Sequence, residues 1–265
     1  MPRHAHPIFH AGSGSSATTL QDQAAILFNA VHSATQALTH KQTGANHKQI
    51  ESIFAANDRC RRNYVEKQEK TIKFGEGVPW ADAEADKVDL RGDVVDDHEQ
   101  ASDEKVQRGQ WGGILERGAP HTLLLTRLCP KKTKTRAPGP GPMRTVDWAP
   151  LATKHLAGRS VILHTDGARA YQLRVPGMIH DHVVHKKKVL ATADGKVVRR
   201  QGKVVWIKPQ YSKTFVHVLP SGGKITCRGG TQIMDRFWEH ARTFFAGRSG
   251  RVDTLAIRTR LRSAQ

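Results

Sequence analysis

Apolar positions recur along this chain with two different periods, and the change falls near Trp80. Upstream, Leu20, Ala24, Leu27, Val31, Ala34 and Leu38 return at three- and four-residue steps, which predicts one amphipathic helix over residues 19–39. Thr18 or Thr19 supplies its N-cap, and Gly44 and Asn46 break the pattern. A second helix is expected from His47 to Glu69, burying Ile50, Ile53, Phe54, Cys60 and Tyr64. Residues 17–79 therefore read as a helical segment ahead of a main domain. Residues 1–16 are rich in His, Gly, Ser and Pro, have no periodicity and read as a disordered start.

Downstream of Trp80 the elements shorten. An extended segment, Ala83 to Leu90, leads into an acidic loop, Gly92 to Glu104. Two strands follow, Gln110 to Glu116 and Thr122 to Leu128, joined by the turn Arg117-Gly118-Ala119-Pro120. A Pro/Gly/Lys loop runs from Pro130 to Pro142. Asp147 reads as the N-cap of a helix ending near Gly158, with Trp148, Leu151 and Leu156 inward. Next come a strand, Ser160 to His164, a short helix, Ala168 to Leu173, and a strand, His182 to Val184. Residues 186–230 look β-rich, with a hairpin around Gly202 and a strand from Thr214 to Val218. A long helix spans about 231–246 and is closed by Gly247. A basic tail, 248–265, ends without a stop signal, as in a truncated copy. Three hairpin-joined strands leading into alternating helix and strand are the order of a ribonuclease H-like α/β domain over 80–247. It would have a mixed sheet, flanking helices and a β-rich insertion (186–230) before the last core helix.

Charge sharpens this picture. The 265 residues carry a formal charge of +18, unevenly spread. Residues 1–80 hold nine Lys/Arg against six Asp/Glu, residues 81–104 two against ten, and residues 105–265 thirty-one against eight. So cationic a C-terminal region points to a polyanionic partner, because Lys and Arg that neutralise phosphates release counterions. Lys131, Lys132, Lys134 and Arg136 in the Pro/Gly loop, and the run Lys186-Lys187-Lys188, read as contacts to a DNA backbone. With no base-reading helix in evidence, such binding would be non-specific; the alternative is a solubilising charge run. Apolar runs are only a few residues long, so no membrane-spanning helix is expected, and no signal peptide is visible at the N-terminus. Cys60, Cys129 and Cys227 are far apart, which removes zinc ribbons, redox CxxC motifs and a disulfide framework. The expected setting is reducing and not secreted: the nucleus in a eukaryote, otherwise the cytoplasm.

Two-metal phosphodiester chemistry needs carboxylates that converge from different elements. Asp86 lies in the first extended segment, Asp166 ends the strand before Gly167, and Asp235 lies in the first half of the last helix, 80 and 69 residues apart. Three blocks around them resemble the ISXO-like group of insertion-sequence DDE transposases, relatives of the Merlin elements. The first is Glu84-Ala85-Asp86-Lys87-Val88. The most specific is Val161-Ile162-Leu163-His164-Thr165-Asp166-Gly167-Ala168-Arg169-Ala170-Tyr171. The third is Gly230-Thr231-Gln232-Ile233-Met234-Asp235-Arg236-Phe237-Trp238, with Arg242 behind it. The resemblance covers about residues 80–247. It implies a DNA transposase with Asp86, Asp166 and Asp235 as catalytic ligands of Mg²⁺ or Mn²⁺, Arg242 near a phosphate, and copies of the chain assembling on transposon ends. The sequence departs from the family in four ways: Asp235 stands where the family usually has Glu, Lys87 follows the first Asp where many members have an acid, the N-terminal zinc ribbon of many relatives is missing, and the insertion 186–230 makes the second interval long.

Each residue also has a plainer reading. Asp166 before Gly167 suits an Asx-turn, and Asp86 is one of ten acids in a short stretch. Asp235, Glu239 and Arg242 fall on one helical face as an ion ladder, with Ile233/Met234, Phe237, Ala241 and Phe244/Phe245 on the apolar face. Glu239 is the fallback third ligand. His180-x-His182-x-x-His185 looks like a ligand cluster, but strand geometry would send His185 to the opposite face. Trp111-Gly112-Gly113 suggests a close backbone approach within a packed strand. Two other functions stay open: a domesticated or decayed transposase that binds DNA without cutting it, and a structure-selective nuclease on the same scaffold.

Overall fold

The computed structural model describes residues 18–32, 34–94, 106–185, 188–192 and 194–245, together with Leu261. The expected disordered start, most of the acidic loop, Lys186, Lys187 and the basic tail apart from Leu261 lie outside the described residues, as does the side chain of Lys188. The chain divides into two compact units, Met1–Thr71 with Thr254–Gln265, and Ile72–Asp253.

The first unit contains α1 (Leu20–Val31), α2 (Gln36–Thr43) and α3 (His47–Glu69). The single helix expected over 19–39 is thus two. Thr35 is extended, and its hydroxyl accepts from the Leu38 N–H at 3.1 Å, so it starts a new helix instead of continuing the old one. Thr19 caps α1 in the same way, through the Asp22 N–H. The break also changes which face is buried. Gln23, Ile26 and Ala30 point inward, while Leu20, Val31 and Leu38 are exposed. Ile26 packs with Ile50 and Ile53 of α3, and Leu27, Ala45 and Phe54 close the cluster. Tyr64, expected inside, is exposed.

The second unit is built on a mixed sheet in the order β3-β2-β1-β5-β6. β1 (Ala81–Val94), β2 (Val106–Glu116) and β3 (Ala119–Arg127) are antiparallel neighbours; β5 (Val161–Thr165) and β6 (Met178–His182) run parallel to β1. β6 begins earlier than the strand expected at 182–184, and Arg169–Gln172 is a single 3₁₀ turn. β4 (Lys131–Thr133) pairs with Val106–Arg108 of β2, so Lys131 and Lys132 sit on a strand where a loop was expected.

One face of the sheet packs against α4 (Thr145–Leu156). Ala83, Ala85, Ile114, Leu124, Val161 and Leu163 meet Trp148, Leu151, Ala152 and Leu156 there. Arg144, not Asp147, occupies the N-cap position of α4. Asp147 lies in the first turn, where Arg144 grips it at 2.6 and 3.1 Å and its Oδ1 accepts from the Cys129 N–H at 3.1 Å. A carboxylate there still complements the helix dipole.

The other face carries α5 (Gln232–Phe245), which buries Met234, Trp238 and Ala241; Phe237 is only half-buried. Helix and sheet approach closely because Gly113 has no side chain. A Cβ there would drive into Met234 and lie 3.0 Å from Trp238. Between β6 and α5 the β-rich stretch forms short ladders: β7 (Lys188–Val189) with β10 (Trp206–Ile207), β8 (Arg199–Arg200) with β9 (Lys203–Val204), and a longer hairpin of β11 (Lys213–Val218) with β12 (Lys224–Gly229). The whole is a mixed α/β arrangement compatible with a ribonuclease H-like domain. Among the described residues no helix is long and apolar enough to cross a membrane.

Candidate functional site

Alternation along β1 decides what each side chain meets. Ala83 and Ala85 face the apolar core, so Asp82, Glu84 and Asp86 share the α5 side. Glu84 is buried. Its Oε1 accepts from Arg117 Nε at 2.8 Å, and its Oε2 accepts from the N–H groups of Ile233 and Met234 at 2.8 and 3.0 Å. Arg117, on the tight turn between β2 and β3, also donates to the carbonyls of Arg228 and Gly230. This arrangement locks the start of α5 onto β1 and sets Asp235 one turn in.

Asp86 and Asp166 lie at the carboxyl end of the parallel β1–β5 pair, where open α/β sheets commonly bind ligands, and Asp235 of α5 is near enough for its charge to reach Asp86. Each of the three pairs interacts electrostatically. Burial, reinforced by the charges of Asp235 and Asp166, pushes the Asp86 carboxyl up to about 7. Asp235, whose residue surface is exposed, is also raised by partial desolvation of its carboxyl and by Asp166, against the opposing pull of His185, the Thr231 hydroxyl and Arg242. Asp166 Oδ1 accepts from the Ala168 N–H at 2.8 Å, so the Asx-turn exists alongside the clustering. The trio is not among the groups whose three donor atoms lie within 4.8 Å of one another. Glu239 is exposed one turn beyond, and Asp235 is the α5 acid whose charge Asp86 feels.

Two further residues border this trio. Tyr171 is fully buried against Trp148, edge to face at 4.8 Å, and its hydroxyl has no hydrogen-bond partner. Burial and the charges of Asp86 and Asp166 raise its pKa. The Nε2 of His185 is likewise buried without a partner, and its ring leans on Tyr211. Tyr171 was inside a recognisable sequence block; its closeness to Asp86 was not readable there.

A second polar cluster occupies the same sheet face. His164 is completely buried, with Nδ1 2.8 Å from Asp181 Oδ1 and Nε2 3.0 Å from Asp82 Oδ1. Burial alone would lower its pKa, but the two carboxylates prevail and raise it. Asp181, although buried, is held below its usual range by His164 and His217. Its Oδ2 is 2.9 Å from His217 Nε2 and accepts from Cys227 Sγ at 3.6 Å. Burial and the neighbouring Asp181 and Asp82 push the Cys227 thiol up to about 12. The suspected His180/His182/His185 cluster does not assemble as three. His180 and His182 stack at 6.0 Å, and His180 meets the Thr165 hydroxyl at 2.9 Å. Burial, helped by His182, holds His180 down to about 4.

Of the basic residues singled out, Lys131 uses its ammonium internally, donating to the Pro140 carbonyl at 2.7 Å. Lys132, Lys134, Arg136 and Arg242 are exposed.

No protein-family model matches the chain, and no curated protein matches it. Among solved structures it is similar to the mariner Mos1 paired end complex with Mg, at 12% identity and a TM-score of 0.16, over 62% of this chain and 56% of that one. The chain thus spans little more than half the length of that neighbour.

Proposed function

We propose that this chain is a transposase-type enzyme of the ISXO-like kind, in which Asp86, Asp166 and Asp235 hold Mg²⁺ or Mn²⁺ for cleavage and strand transfer of DNA on a ribonuclease H-like domain. The observation that carries this reading is that three aspartates, from β1, the end of β5 and the first turn of α5, lie within electrostatic reach of one another in every pair. The donor set fits hard divalent cations, which take oxygen ligands and relieve the repulsion among crowded carboxylates. The unpartnered Tyr171 hydroxyl and His185 nitrogen support it, since both are buried polar groups beside the trio.

When bound, the cations supply polarisation of the scissile phosphate and activation of a water or DNA 3′-hydroxyl for in-line attack. The chain's own residues provide placement. Glu84 and Arg117 hold the start of α5, and with it Asp235, against β1. Arg242, whose charge reaches Asp235, offers a guanidinium to a phosphate from the same helix. Lys132, Lys134 and Arg136 present exposed charge for backbone contacts, with Lys186, Lys187 and Lys188 as further candidates from the sequence. Copies of the chain would assemble on transposon ends.

The spacing of the trio's oxygens and the short Asp235 side chain favour, as a second reading, a protein that retains DNA binding and has lost cleavage. Plasmid nicking and strand transfer in Mg²⁺ and Mn²⁺, run beside gel-shift binding, separate the two. Cleavage that Asp166→Asn abolishes while binding persists supports the enzyme. Binding without cleavage in the wild type leaves the second reading, and cleavage indifferent to Asp166→Asn rejects the site.

A further inference from the structure

Five side chains from five strands meet beyond the acidic trio: Asp82 on β1, His164 on β5, Asp181 on β6, His217 on β11 and Cys227 on β12. The donor atoms of Asp181, His217 and Cys227 all lie within 4.8 Å of one another, as do those of Asp82, His164 and Cys227. We propose that Cys227, His217 and Asp181 form a structural zinc site, with Asp82 on its open side, that pins the β11–β12 hairpin to the edge strand β6.

Three features carry this. The donors are a thiol, an imidazole and a carboxylate, a mixture suited to zinc and ill suited to Mg²⁺ or Ca²⁺. The outer shell is already in place, because the second oxygen of Asp181 meets His164 Nδ1 at 2.8 Å and His164 is held in turn by Asp82. The hairpin also gains from a second anchor beside Arg117, which donates to the Arg228 carbonyl. Among the described residues β11 and β12 pair only with each other, and an isolated two-stranded hairpin is marginal in water. Its inward face mixes the apolar Phe215 and Ile225 with His217, Cys227 and Gly229. Gly229 permits the close approach: a Cβ there would lie 2.5 Å from Asp181 Oδ1.

On binding, Cys227 releases its proton to solvent. The contacts of Asp181 Oδ2 with His217 and Cys227 give way to three bonds to the ion, while His164 keeps its hold on Oδ1. Because α5 starts at Gln232, three residues after β12 ends, the ion would also fix the point from which that helix departs. The site is separate from the acidic trio and stands whether or not the chain cuts DNA.

The test is titration of chelator-stripped full-length protein with Co²⁺, then Zn²⁺. A thiolate-to-cobalt charge-transfer band saturating at a single equivalent, and bleached by Zn²⁺, is expected. Cys227→Ser should remove the band, His217→Ala should weaken binding at least tenfold, and Cys129→Ser and Asp86→Asn should leave both unchanged. His217→Cys supplies a second thiolate and should intensify the band, which keeps the test decisive if Cys227→Ser fails to fold. A wild type without the band, a band that survives Cys227→Ser, or one unaltered by His217→Cys overturns the proposal and leaves a purely hydrogen-bonded network.

Discussion

The Glu84 carboxylate caps a helix far along the chain: its Oε2 accepts from the N–H of Ile233, 149 residues later, at 2.8 Å and from the Met234 N–H at 3.0 Å. Two orphan donors of the first turn are thereby satisfied by a buried charge, and Arg117 at 2.8 Å balances it. Glu84→Gln keeps the shape but leaves the Arg117 guanidinium poorly paired. The expected loss is about 2–4 kcal/mol, since breaking a buried ion pair costs more than the intact pair contributes. Urea unfolding should show a lower midpoint with an unchanged slope. A loss below about 0.5 kcal/mol, the size of an ordinary surface change, would show that the cap is ornamental.

Gly113→Ala places a methyl between β2 and α5, against Met234 and Trp238. Overpacking of this kind costs about 1–3 kcal/mol and should lift α5, reducing any cleavage with it. Gly112→Ala is the control. Its nearest contacts, Leu128 and Met143 at 3.3 and 3.4 Å, are flexible side-chain ends on the opposite face, so the cost should be smaller. Thermal melts of the two variants check the order.

Metal-free stability should depend on Asp86. Its folded pKa, about 7, lies above the ordinary carboxyl value of 3.8, so near neutral pH the folded state holds a proton that the unfolded state has lost. Stability contributed by the protonated form is full below the unfolded value and declines as pH rises through the folded one. In EDTA, Asp86→Asn should therefore gain stability relative to wild type between pH 5 and 8, on the order of 1–3 kcal/mol at the alkaline end. Mg²⁺ should stabilise the wild type and do little for the variant. An equal effect of the substitution at both pH values would rule out the buried, crowded carboxyl.

DNA affinity should fall steeply with salt. Each phosphate contact removed lowers the slope of log K against log[salt] by about 0.9. Replacing Lys132, Lys134 and Arg136 together should reduce the slope by about 2–3 without altering sequence preference. Fluorescence anisotropy from low to moderate salt measures this, and an unchanged slope would place the DNA elsewhere.

Local pattern was enough for what depends on neighbours in sequence. The helical span of α3, the strands around Gly118, the buried strand ending at Thr165 and the amphipathic α5 all follow from periodicity and turn residues. Elements failed where two local signals competed. Thr35 reads equally as a helix interior or a cap, and only packing of Ile26 on Ile50 and Ile53 decided for the break. In α5, Phe237 and Trp238 are adjacent and both large, and which one turns inward depends on the groove over Gly113.

Asp86, Asp166 and Asp235 could be singled out from the chain because each sits at a recognisable point of an element. Their closeness could not, since it depends on the parallel pairing of β1 with β5 and on Glu84 docking α5. Still less visible were Asp82, His164, Asp181, His217 and Cys227, which share no motif and no spacing. Alternation tells which side chains share a strand face, but strand order and register determine which strands lie side by side. Those are set by burial summed over the whole sheet, a quantity no short window of sequence contains.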